Sequence, residues 1–524
     1  MLFNSHLFIF LFFPVVVLAF YLARPSGLRA QIAVLLIASF TFYASWDWRF
    51  LFLLLCSIAF NYVVGGFLTR AVASGKFRAA DIITTLGVAC NLSIIGVFKY
   101  ANFIGMNYAA LTDSSYSVRD IILPLGISFF TFEQIGYLVD IRRGNLYPRN
   151  LGRYATFVAF FPRLVAGPIL RYNEILPQFI EKRGPRNIGA DIGVGITIFV
   201  FGLAKKSLLA DGIAPYEAIA FAPAQTGHPI DFFAAWTGAM VYTCRLYFDF
   251  SGYSDMAIGC ARCFGIVFPM NFNSPYKSAS IIEFWRRWHM TLSRFLRDYL
   301  YISLGGNRKG PTRRYLNLMI TMLLGGLWHG ANWTFVIWGG LHGAYLCINH
   351  MWIAASSRVA LLNRFRSSGA GWFFGFVITF ISVVVAWVFF RAPDFHTAGS
   401  ILASMTGANG FALPYALMDA LGPLGSALRS LGLGDSMASG TQFVSAWTWL
   451  VGLLAIVWLL PNTQQFVAAY DPVLESEQLR EGGGYLVRRL HWRPTVAWAA
   501  AVGALGFLAV TSLTRVSEFL YWQF

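Results

Sequence analysis

Charged residues are scarce in this 524-residue sequence, at only 12% of the chain. Soluble domains carry about 25% charged residues, so this chain has too little polar surface for a soluble multidomain enzyme. Apolar residues make up 57% and aromatic residues 17% of the sequence. The same composition excludes a disordered chain, a coiled coil and a disulfide-stapled mini-protein. Many long apolar runs predict instead an all-α polytopic membrane protein.

Acidic residues are the scarcer charge type, with 24 Asp and Glu against 40 Lys and Arg and a net charge of +16. In a soluble protein this excess would suggest nucleic-acid binding. In a membrane protein it is better explained by cytoplasmic loops that lie beside anionic lipid. We therefore expect membrane lipid, and no nucleic acid, among the partners.

Cysteine is also rare, with six residues. Cys260 and Cys263 form a CxxC pair, but no second Cys pair or His follows at zinc-site spacing, so no metal is expected. The sequence contains no GxSxG, P-loop or HExxH motif, and no GxGxxG in a strand–helix setting. These absences argue against hydrolase, ATPase, protease and nucleotide-redox functions.

The apolar windows predict roughly 11–13 transmembrane helices in one integral domain over 1–524. They run over 7–21, 31–44, 50–68, 82–98, 121–139, 188–204, 232–248, 316–327, 335–348, 373–390, 446–460 and 495–513. Loops one, three and five carry unbalanced cations, which places the N-terminus in the periplasm. The Gly-, Ala- and Leu-rich stretch at about 400–440 is expected to form an irregular outward loop.

The apolar segment 155–170 has basic residues on both flanks and is interrupted by Pro162, Gly167 and Pro168. Equal charge on both sides of a broken segment predicts a re-entrant path. Non-helical backbone at membrane depth must be covered by protein or line a cavity. This segment is therefore the first indication of a site inside the membrane.

The segment 283–301, EFWRRWHMTLSRFLRDYLY, predicts one amphipathic helix in the plane of the membrane interface. Trp285 and Trp288 fall on its apolar face, and Arg286, Arg287 and Arg294 on its basic face. An arginine-rich face beside a membrane cavity could hold a phosphorylated cofactor. His289 falls at the boundary between the two faces.

His329 lies in the apolar segment LLGGLWHGANW, among Gly and Trp residues. An ionisable residue at this depth is a functional candidate by default, and neutral His can act as a general base. A buried His that hydrogen-bonds a neighbouring helix is an equally good interpretation of its position. His342, 13 residues on, would lie on another face of a continuous helix and is interpreted as structural.

Other polar residues interrupt the apolar runs. They are Glu133, Gln134, Asp249, Ser251, Tyr253, Ser254, Asp255, Asn271 and Asn273. The acids among them need partners if they are buried, and Arg163, Arg171 and Arg245 are plausible partners. Most of the polar residues are expected to form structural networks, although some could line a cavity.

Several long motifs resemble the membrane-bound O-acyltransferase family, and most of all its bacterial branch for alginate O-acetylation. They are SFFTFEQIGYLVDIRRG, FPRLVAGPILR, YFDFSGYSDMAIG, WRRWHMTLSRFLRDYLYISLGGNR and LLGGLWHGANW, in that order over roughly residues 1–400. The terminal FLYWQF also fits this family, whereas the stretch at about 400–440 contains no matching motif.

The resemblance implies a multi-helix fold with re-entrant and interfacial helices around a central tunnel through the bacterial inner membrane. It implies acetyl-CoA as a cytoplasmic donor substrate, with no permanently bound cofactor. It places the family's intramembrane catalytic His at His329 and its second polar position at His289. It further implies a secreted polysaccharide acceptor such as alginate, commonly reached through a periplasmic acetyltransferase of the SGNH, esterase-like type.

The chemistry can also be argued from the residues. A thioester is already activated, so transfer needs a base and donors for the developing oxyanion. His329 is the predicted base and His289 a donor or second proton-transfer group. Asn332, the Trp333 N–H and glycine backbone N–H groups are candidate oxyanion donors. A covalent acyl-His329 intermediate stays open. Tentative donor-binding or tunnel-lining residues are Arg286, Arg287, Arg294, Trp285, Trp288, Trp328, Asn332, Trp333, Asp249, Ser251 and Asn273. Two alternatives also stay open: a transporter of polysaccharide precursors or ions, and a non-catalytic scaffold of a polymer-export complex.

Overall fold

The computed structural model describes residues 1–165, 167–180, 187–481, 491–513 and 519–520, and these are mostly helical. The first helices are α1 Phe13–Leu22, α2 Leu28–Ala44, α3 Trp48–Ala73, α4 Phe77–Ile95 and α5 Ala101–Thr112. A π-helical segment, Phe8–Phe12, leads into α1. A second, Gly96–Tyr100, joins α4 to α5, so that Phe77–Thr112 forms one continuous rod.

The middle of the chain contains α12 Phe232–Cys263, the longest α-helix of the described residues. Before it come α6 Ile127–Arg142, α7 Leu151–Ala159, α8 Tyr172–Ile180, α9 Ile188–Ala204, α10 Asp211–Ile213 and α11 Ala218–Gln225. The π-helical Lys205–Ala210 and the 3-10 turn Ala214–Glu217 join α9, α10 and α11 into one run. The 3-10 turn Pro275–Lys277 follows α12.

The second half continues with α13 Ile281–Arg287, α14 Met290–Phe295, π-helical Leu296–Tyr301, α15 Gly310–His329, α16 Trp333–Ser356, α17 Ala360–Arg366, α18 Gly369–Arg391 and α19 Phe395–Met405. The C-terminal helices are α20 Tyr415–Ala420, α21 Pro423–Ser430, α22 Gly440–Leu459, α23 Thr463–Phe466, α24 Ser476–Glu481 and α25 Val496–Thr511. Short 3-10 turns lie at Arg24–Ser26 and Ala468–Tyr470.

The stretch predicted as an irregular loop at 400–440 has structure of its own. It contains α20, α21 and two short parallel strands, β1 Ala412–Pro414 and β2 Gly434–Ser436. Ala412 pairs with Gly434 in their register. The prediction of irregular structure was therefore wrong in part, because turns rich in Gly and Ser hid segments too short to show a periodicity.

The described residues include five helical stretches that are long and apolar enough to cross a membrane: Trp48–Ala73, Phe77–Thr112, Ile188–Gln225, Gly369–Arg391 and Gly440–Leu459. Shorter apolar helices lie at Phe8–Leu22, Leu28–Ala44 and Val496–Thr511. Most of the predicted windows coincide with helices. The window 121–139 begins too early, because α6 starts only after Pro124 and the left-handed Gly126 (φ +68°). The multi-pass membrane class is confirmed.

Glycines allow close packing at two helix contacts around the core. Between α9 and α12, a Cβ on Gly202 would lie 2.5 Å from the Gly252 carbonyl oxygen, and one on Gly259 would lie 2.5 Å from that of Gly195. In apolar surroundings, small residues allow backbones to approach in this way. A glycine also allows α15 and α16 to pack closely, since a Cβ on Gly339 would lie 2.2 Å from the Met322 carbonyl oxygen.

The predicted break in the segment 155–170 is confirmed. α7 ends at Ala159, and the described residues from 160 to 170 are non-helical and buried. The buried Arg163 guanidinium forms an ion pair with Glu133 of α6 and lies 4.9 Å from the Phe157 ring. Glu133 also accepts a hydrogen bond from the Leu170 backbone N–H at 3.1 Å. The irregular backbone is thus covered by protein, while its re-entrant path stays a prediction.

Candidate active site

His329 is the last residue of α15, and only 6% of it is exposed. The turn Gly330–Asn332 separates it from α16. Its imidazole makes edge contacts with the rings of Trp328 and Trp338, each 5.0 Å away between centroids, and with Phe390 at 5.2 Å. Helices α15, α16 and α18 therefore each supply one wall around this histidine.

The helical rod Phe77–Thr112 holds the turn at His329 in place. The Lys99 ammonium donates to the carbonyl oxygens of Trp328 at 2.7 Å and His329 at 2.9 Å. The Tyr100 hydroxyl donates to the Leu327 carbonyl oxygen at 2.7 Å. The last carbonyls of a helix lack partners within that helix, so these bonds satisfy the end of α15. Both donors come from the π-helical segment, a feature often found at functional sites.

Asn332 and Trp333 use their side chains to build the same turn. Asn332 caps α16 by accepting from the Thr334 backbone N–H at 3.0 Å and donates to the Pro393 carbonyl oxygen at 2.8 Å. The Trp333 indole N–H donates to Asn107 at 2.8 Å. These side-chain donors are engaged elsewhere, so the geometry does not favour the predicted oxyanion role.

The predicted single helix over 283–301 was wrong. α13 ends at Arg287, and His289 adopts the left-handed conformation (φ +41°, ψ +53°) before α14 begins. A wheel count cannot detect such a break, because the apolar spacing continues across it. Trp285 and Trp288 are buried inside the protein, so the prediction that this apolar face lies in the membrane interface was also wrong.

The left-handed turn is held by the segment that follows α12. The Met290 N–H donates to the Asn271 carbonyl oxygen, and the Asn273 N–H to that of Arg287, both at 2.9 Å. The Asn271 side-chain oxygen accepts from the Thr291 hydroxyl at 2.9 Å and lies 3.1 Å from His289 Nδ1. Nδ1 is therefore the donor, which leaves Nε2 as the proton-accepting nitrogen of neutral His289.

The three arginines predicted to bind phosphate differ in their surroundings. Arg286 is exposed. Arg287 pairs with Glu283 at 2.8 Å, and Arg294 pairs with Glu174 at 2.9 Å and Glu475 at 3.2 Å. A phosphate would have to compete with carboxylates at the last two positions.

A wall of aromatic rings connects the two histidines. Phe272 contacts His289 at 6.4 Å and Trp288 at 5.1 Å. Trp288 contacts Trp387 at 5.0 Å, and Trp387 stacks on Trp338 at 5.6 Å, next to His329. His289 is fully buried, and Trp338 and Trp387 are each only 1% exposed. Both predicted catalytic residues therefore belong to one buried cluster.

Sequence reasoning missed His342 as a member of this cluster. Its ring lies 4.8 Å from Trp338, which also contacts His329. The argument against a shared face assumed one continuous helix, but the chain reverses at Gly330–Asn332 and brings α16 back along α15. The Trp285 indole N–H donates to His342 Nδ1 at 3.3 Å. Lys99 was missed as well, because it lies in an outer helix far away in the sequence.

Of the remaining predicted residues, Asp249 and Asn273 take part in polar networks, whereas the Ser251 hydroxyl has no hydrogen-bond partner among the described residues. Asp249 pairs with Lys206 at 2.6 Å and accepts from the Leu520 N–H at 3.0 Å. Asn273 accepts from the Asn462 amide at 3.0 Å, and Ser251 is buried. Their tunnel-lining role stays a prediction.

The predicted cations do not all pair as expected. Arg163 binds Glu133, but Asp249 and Asp255 bind Lys206 and Lys205 instead of arginines. Arg171 pairs with Asp298, and Arg245 pairs with Glu217 at 2.5 Å.

A buried imidazole at a helix end, inside a multi-pass helical fold, is suited to proton transfer away from bulk water. The model of the membrane-bound O-acyltransferase family matches residues 83–390, a span that contains both His289 and His329. The chain belongs to this family, and the protein is a membrane O-acyltransferase.

The chain resembles a probable alginate O-acetylase, AlgI, of Azotobacter vinelandii, with 45% identity over 77% of this chain and 78% of the relative. It resembles the Pseudomonas aeruginosa protein of the same description equally, at 45% over 77% and 75%. A peptidoglycan O-acetyltransferase of Helicobacter pylori is 36% identical over 100% of this chain and 98% of the relative.

Proposed function

We propose that the protein moves an acetyl group from cytosolic acetyl-CoA across the inner membrane for O-acetylation of a secreted polysaccharide. The observation that carries this proposal is His329, buried at the end of α15 against Trp338 and Phe390. An acyl thioester and an acceptor hydroxyl need a base in a water-poor site and no added energy source. Acetyl-CoA would be a substrate, with no permanently bound cofactor.

His329 is the base that takes the proton of the acceptor hydroxyl. His289 is the second proton-transfer group, since its Nδ1 is held by Asn271 and its Nε2 can accept a proton. The aromatic wall of Trp288, Trp387 and Trp338 keeps bulk water from the reactive thioester. Arg286 lies at the exposed end of α13 and is the best placed of the three arginines to bind a donor phosphate. No carboxylate in the described part of the chain forms an ion pair with it, in contrast to Arg287 and Arg294.

The proposed orientation places the N-terminus in the periplasm and the basic loop before α15 in the cytoplasm. Arg308 and Lys309 lie in that loop, and Arg313 and Arg314 follow in the first turns of α15. α15 spans 20 residues, so His329 lies roughly 30 Å along the helix from the loop. The base would thus lie towards the outer side, which suits transfer to an external acceptor. The roughly 11–13 crossings and the central tunnel form part of this proposal.

The acceptor class is a glycan outside the cytoplasm. Relatives described as alginate O-acetylases match most of the chain, whereas the peptidoglycan O-acetyltransferase matches all of it. Alginate is the first candidate and peptidoglycan the second. The acetyl group would reach the glycan through a periplasmic acetyltransferase partner of the SGNH, esterase-like type.

The decisive experiment compares wild-type protein with His329→Gln in a strain that lacks the chromosomal gene. Ester-linked acetate on secreted polysaccharide and on isolated peptidoglycan is measured separately by mass spectrometry, with the protein quantified in the membrane. Wild-type protein should restore acetate on one of the two polymers and the variant on neither. Full acetylation by the variant would refute His329 as the base and support a scaffold role. Acetylation that persists without either protein would refute the transferase proposal.

A further inference from the structure

Two buried ring nitrogens near His329 have no hydrogen-bond partner among the described residues. They are Nε1 of the Trp338 indole and Nε2 of the His342 imidazole. Trp338 is 1% exposed and His342 is fully buried. Buried donors are rarely left without a partner, so each such group calls for an explanation.

The protonation of His342 follows from its one hydrogen bond. The Trp285 indole N–H donates to His342 Nδ1 at 3.3 Å, and an indole N–H can only donate. Nδ1 must therefore accept, so the proton of neutral His342 is on Nε2. The atom without an acceptor is thus a donor, like the indole N–H of Trp338.

The two donors share one face of α16. Residues four apart are neighbours on a helix surface, and the two rings are 4.8 Å apart. Thr334, four residues before Trp338, is also buried, and its hydroxyl has no partner in the described part of the chain. Trp338 contacts His329 at 5.0 Å. This face therefore presents unused polar atoms next to the proposed base.

We propose that Trp338 Nε1–H and His342 Nε2–H bind the carbonyl oxygen of the acyl group and stabilise the oxyanion that forms there. This inference rests on the proposed function, because it needs the thioester to meet His329. It replaces the predicted donors Asn332 and Trp333, whose side-chain donors bind Pro393 and Asn107. A donor held in a dry, preorganised site stabilises developing charge strongly.

The proposed transfer forms a carbon–oxygen bond to the acceptor and breaks the carbon–sulfur bond of the thioester. The acceptor hydroxyl gives its proton to His329 while its oxygen bonds to the carbonyl carbon. The carbonyl π electrons move onto the oxygen, which accepts from Trp338 and His342. When this electron pair re-forms the C=O bond, the carbon–sulfur bond breaks, and the leaving thiolate takes the proton from His329.

The kinetic test uses the purified full chain with acetyl-CoA as donor. Trp338→Phe and His342→Phe remove one donor each and should lower kcat about 10²-fold while KM for acetyl-CoA changes little. His342→Gln keeps an N–H donor and should retain more activity than His342→Phe. Trp458→Phe is the matched control, because its indole N–H also lacks an acceptor among the described residues but lies against Phe376 and Phe380 of α18. Its kcat should equal that of wild type.

A spectroscopic test separates binding from turnover and from misfolding. Acetyl-CoA labelled with ¹³C at the carbonyl carbon is bound to the inactive His329→Gln protein, and the carbonyl stretch is recorded by infrared difference spectroscopy. Two hydrogen bonds should lower its frequency, and adding His342→Gln or Trp338→Phe should reverse part of that shift. An unchanged band, or wild-type kcat in Trp338→Phe and His342→Phe, overturns the proposal. If His329→Gln itself keeps full activity, the proposed base is wrong instead.

Discussion

The ammonium group of Lys99 lies 2.9 Å from the main-chain carbonyl oxygen of His329 and 2.7 Å from that of Trp328. One lysine side chain thus satisfies two carbonyls at the end of the helix that carries the proposed base. The position of the imidazole therefore depends on a residue 230 positions earlier in the chain.

Replacing Lys99 should impair turnover more than it impairs folding. In Lys99→Met, two carbonyls lose their donor and the turn after His329 shifts. A misplacement of about 1 Å can cost on the order of 10²-fold in rate, so kcat should fall by about 10- to 100-fold. Kinetics on protein that remains monodisperse in detergent measure this.

The matched control for Lys99 lies on the same helical rod. Asn91 exchanges two hydrogen bonds with Asn61 of α3, at 2.8 and 3.1 Å. Asn91 also donates to the Gly87 carbonyl oxygen at 2.8 Å. Asn91→Ala therefore removes three hydrogen bonds, one more than Lys99→Met, but none at the His329 turn, and it should keep wild-type kcat. Equal losses in the two variants would show that general packing of the rod, and not the turn, limits activity.

Backbone conformation and chemistry at His289 can be separated by two substitutions. Asn adopts the left-handed region far more readily than Ala. His289→Ala should therefore lower the free energy of unfolding by about 1 kcal/mol more than His289→Asn, as measured by denaturant unfolding in micelles. Both variants should lose acetyl transfer, because both lack the imidazole. Retained activity in His289→Asn would limit His289 to a structural role.

The buried pair of Arg163 and Glu133 should show strong coupling. Arg163→Met leaves a buried carboxylate without its cation, which typically costs about 3–5 kcal/mol. Adding Glu133→Gln should recover most of this loss, because Gln keeps an oxygen to accept from the Leu170 N–H. A double-mutant cycle on unfolding free energies measures the coupling. Additive losses would contradict it.

The α15–α16 contact should tolerate no side chain at Gly339. A Cβ there would lie 2.2 Å from the Met322 carbonyl oxygen, so Gly339→Ala must separate the two helices and move Trp338 away from His329. Both thermal stability and kcat should fall. Gly503 of α25, where a Cβ would meet no atom within 4 Å, is the control. Gly503→Ala should leave both quantities unchanged.

Much of the fold could be predicted from hydropathy alone, since apolar windows in a bilayer can satisfy their backbone only as helices. The break at 155–170 was also predictable, because Pro162, Gly167 and Pro168 fall in a short segment with equal charge on both flanks. The burial of His329 followed from its Trp- and Gly-rich surroundings.

The rest depends on contacts that no local pattern contains. The left-handed turn at His289 is fixed by main-chain bonds from Asn271 and Asn273, so helical periodicity could not reveal it. His342 joined the site only because a three-residue turn reverses the chain after His329. Lys99 could not be found either, because its partners are backbone carbonyls, which have no sequence signature.

The hydrogen bonds from Lys99 to the His329 turn link the proposed base to a helix at the edge of the protein. Among the five candidate spans, Phe77–Thr112 is the least enclosed, with only 17% of its apolar stretch buried inside the protein. We therefore expect much of its surface to meet acyl chains, so that a change in bilayer thickness would change the tilt of this rod. Because Lys99 on the rod binds the Trp328 and His329 carbonyls, the rate of acetyl transfer is expected to differ between bilayers of different thickness.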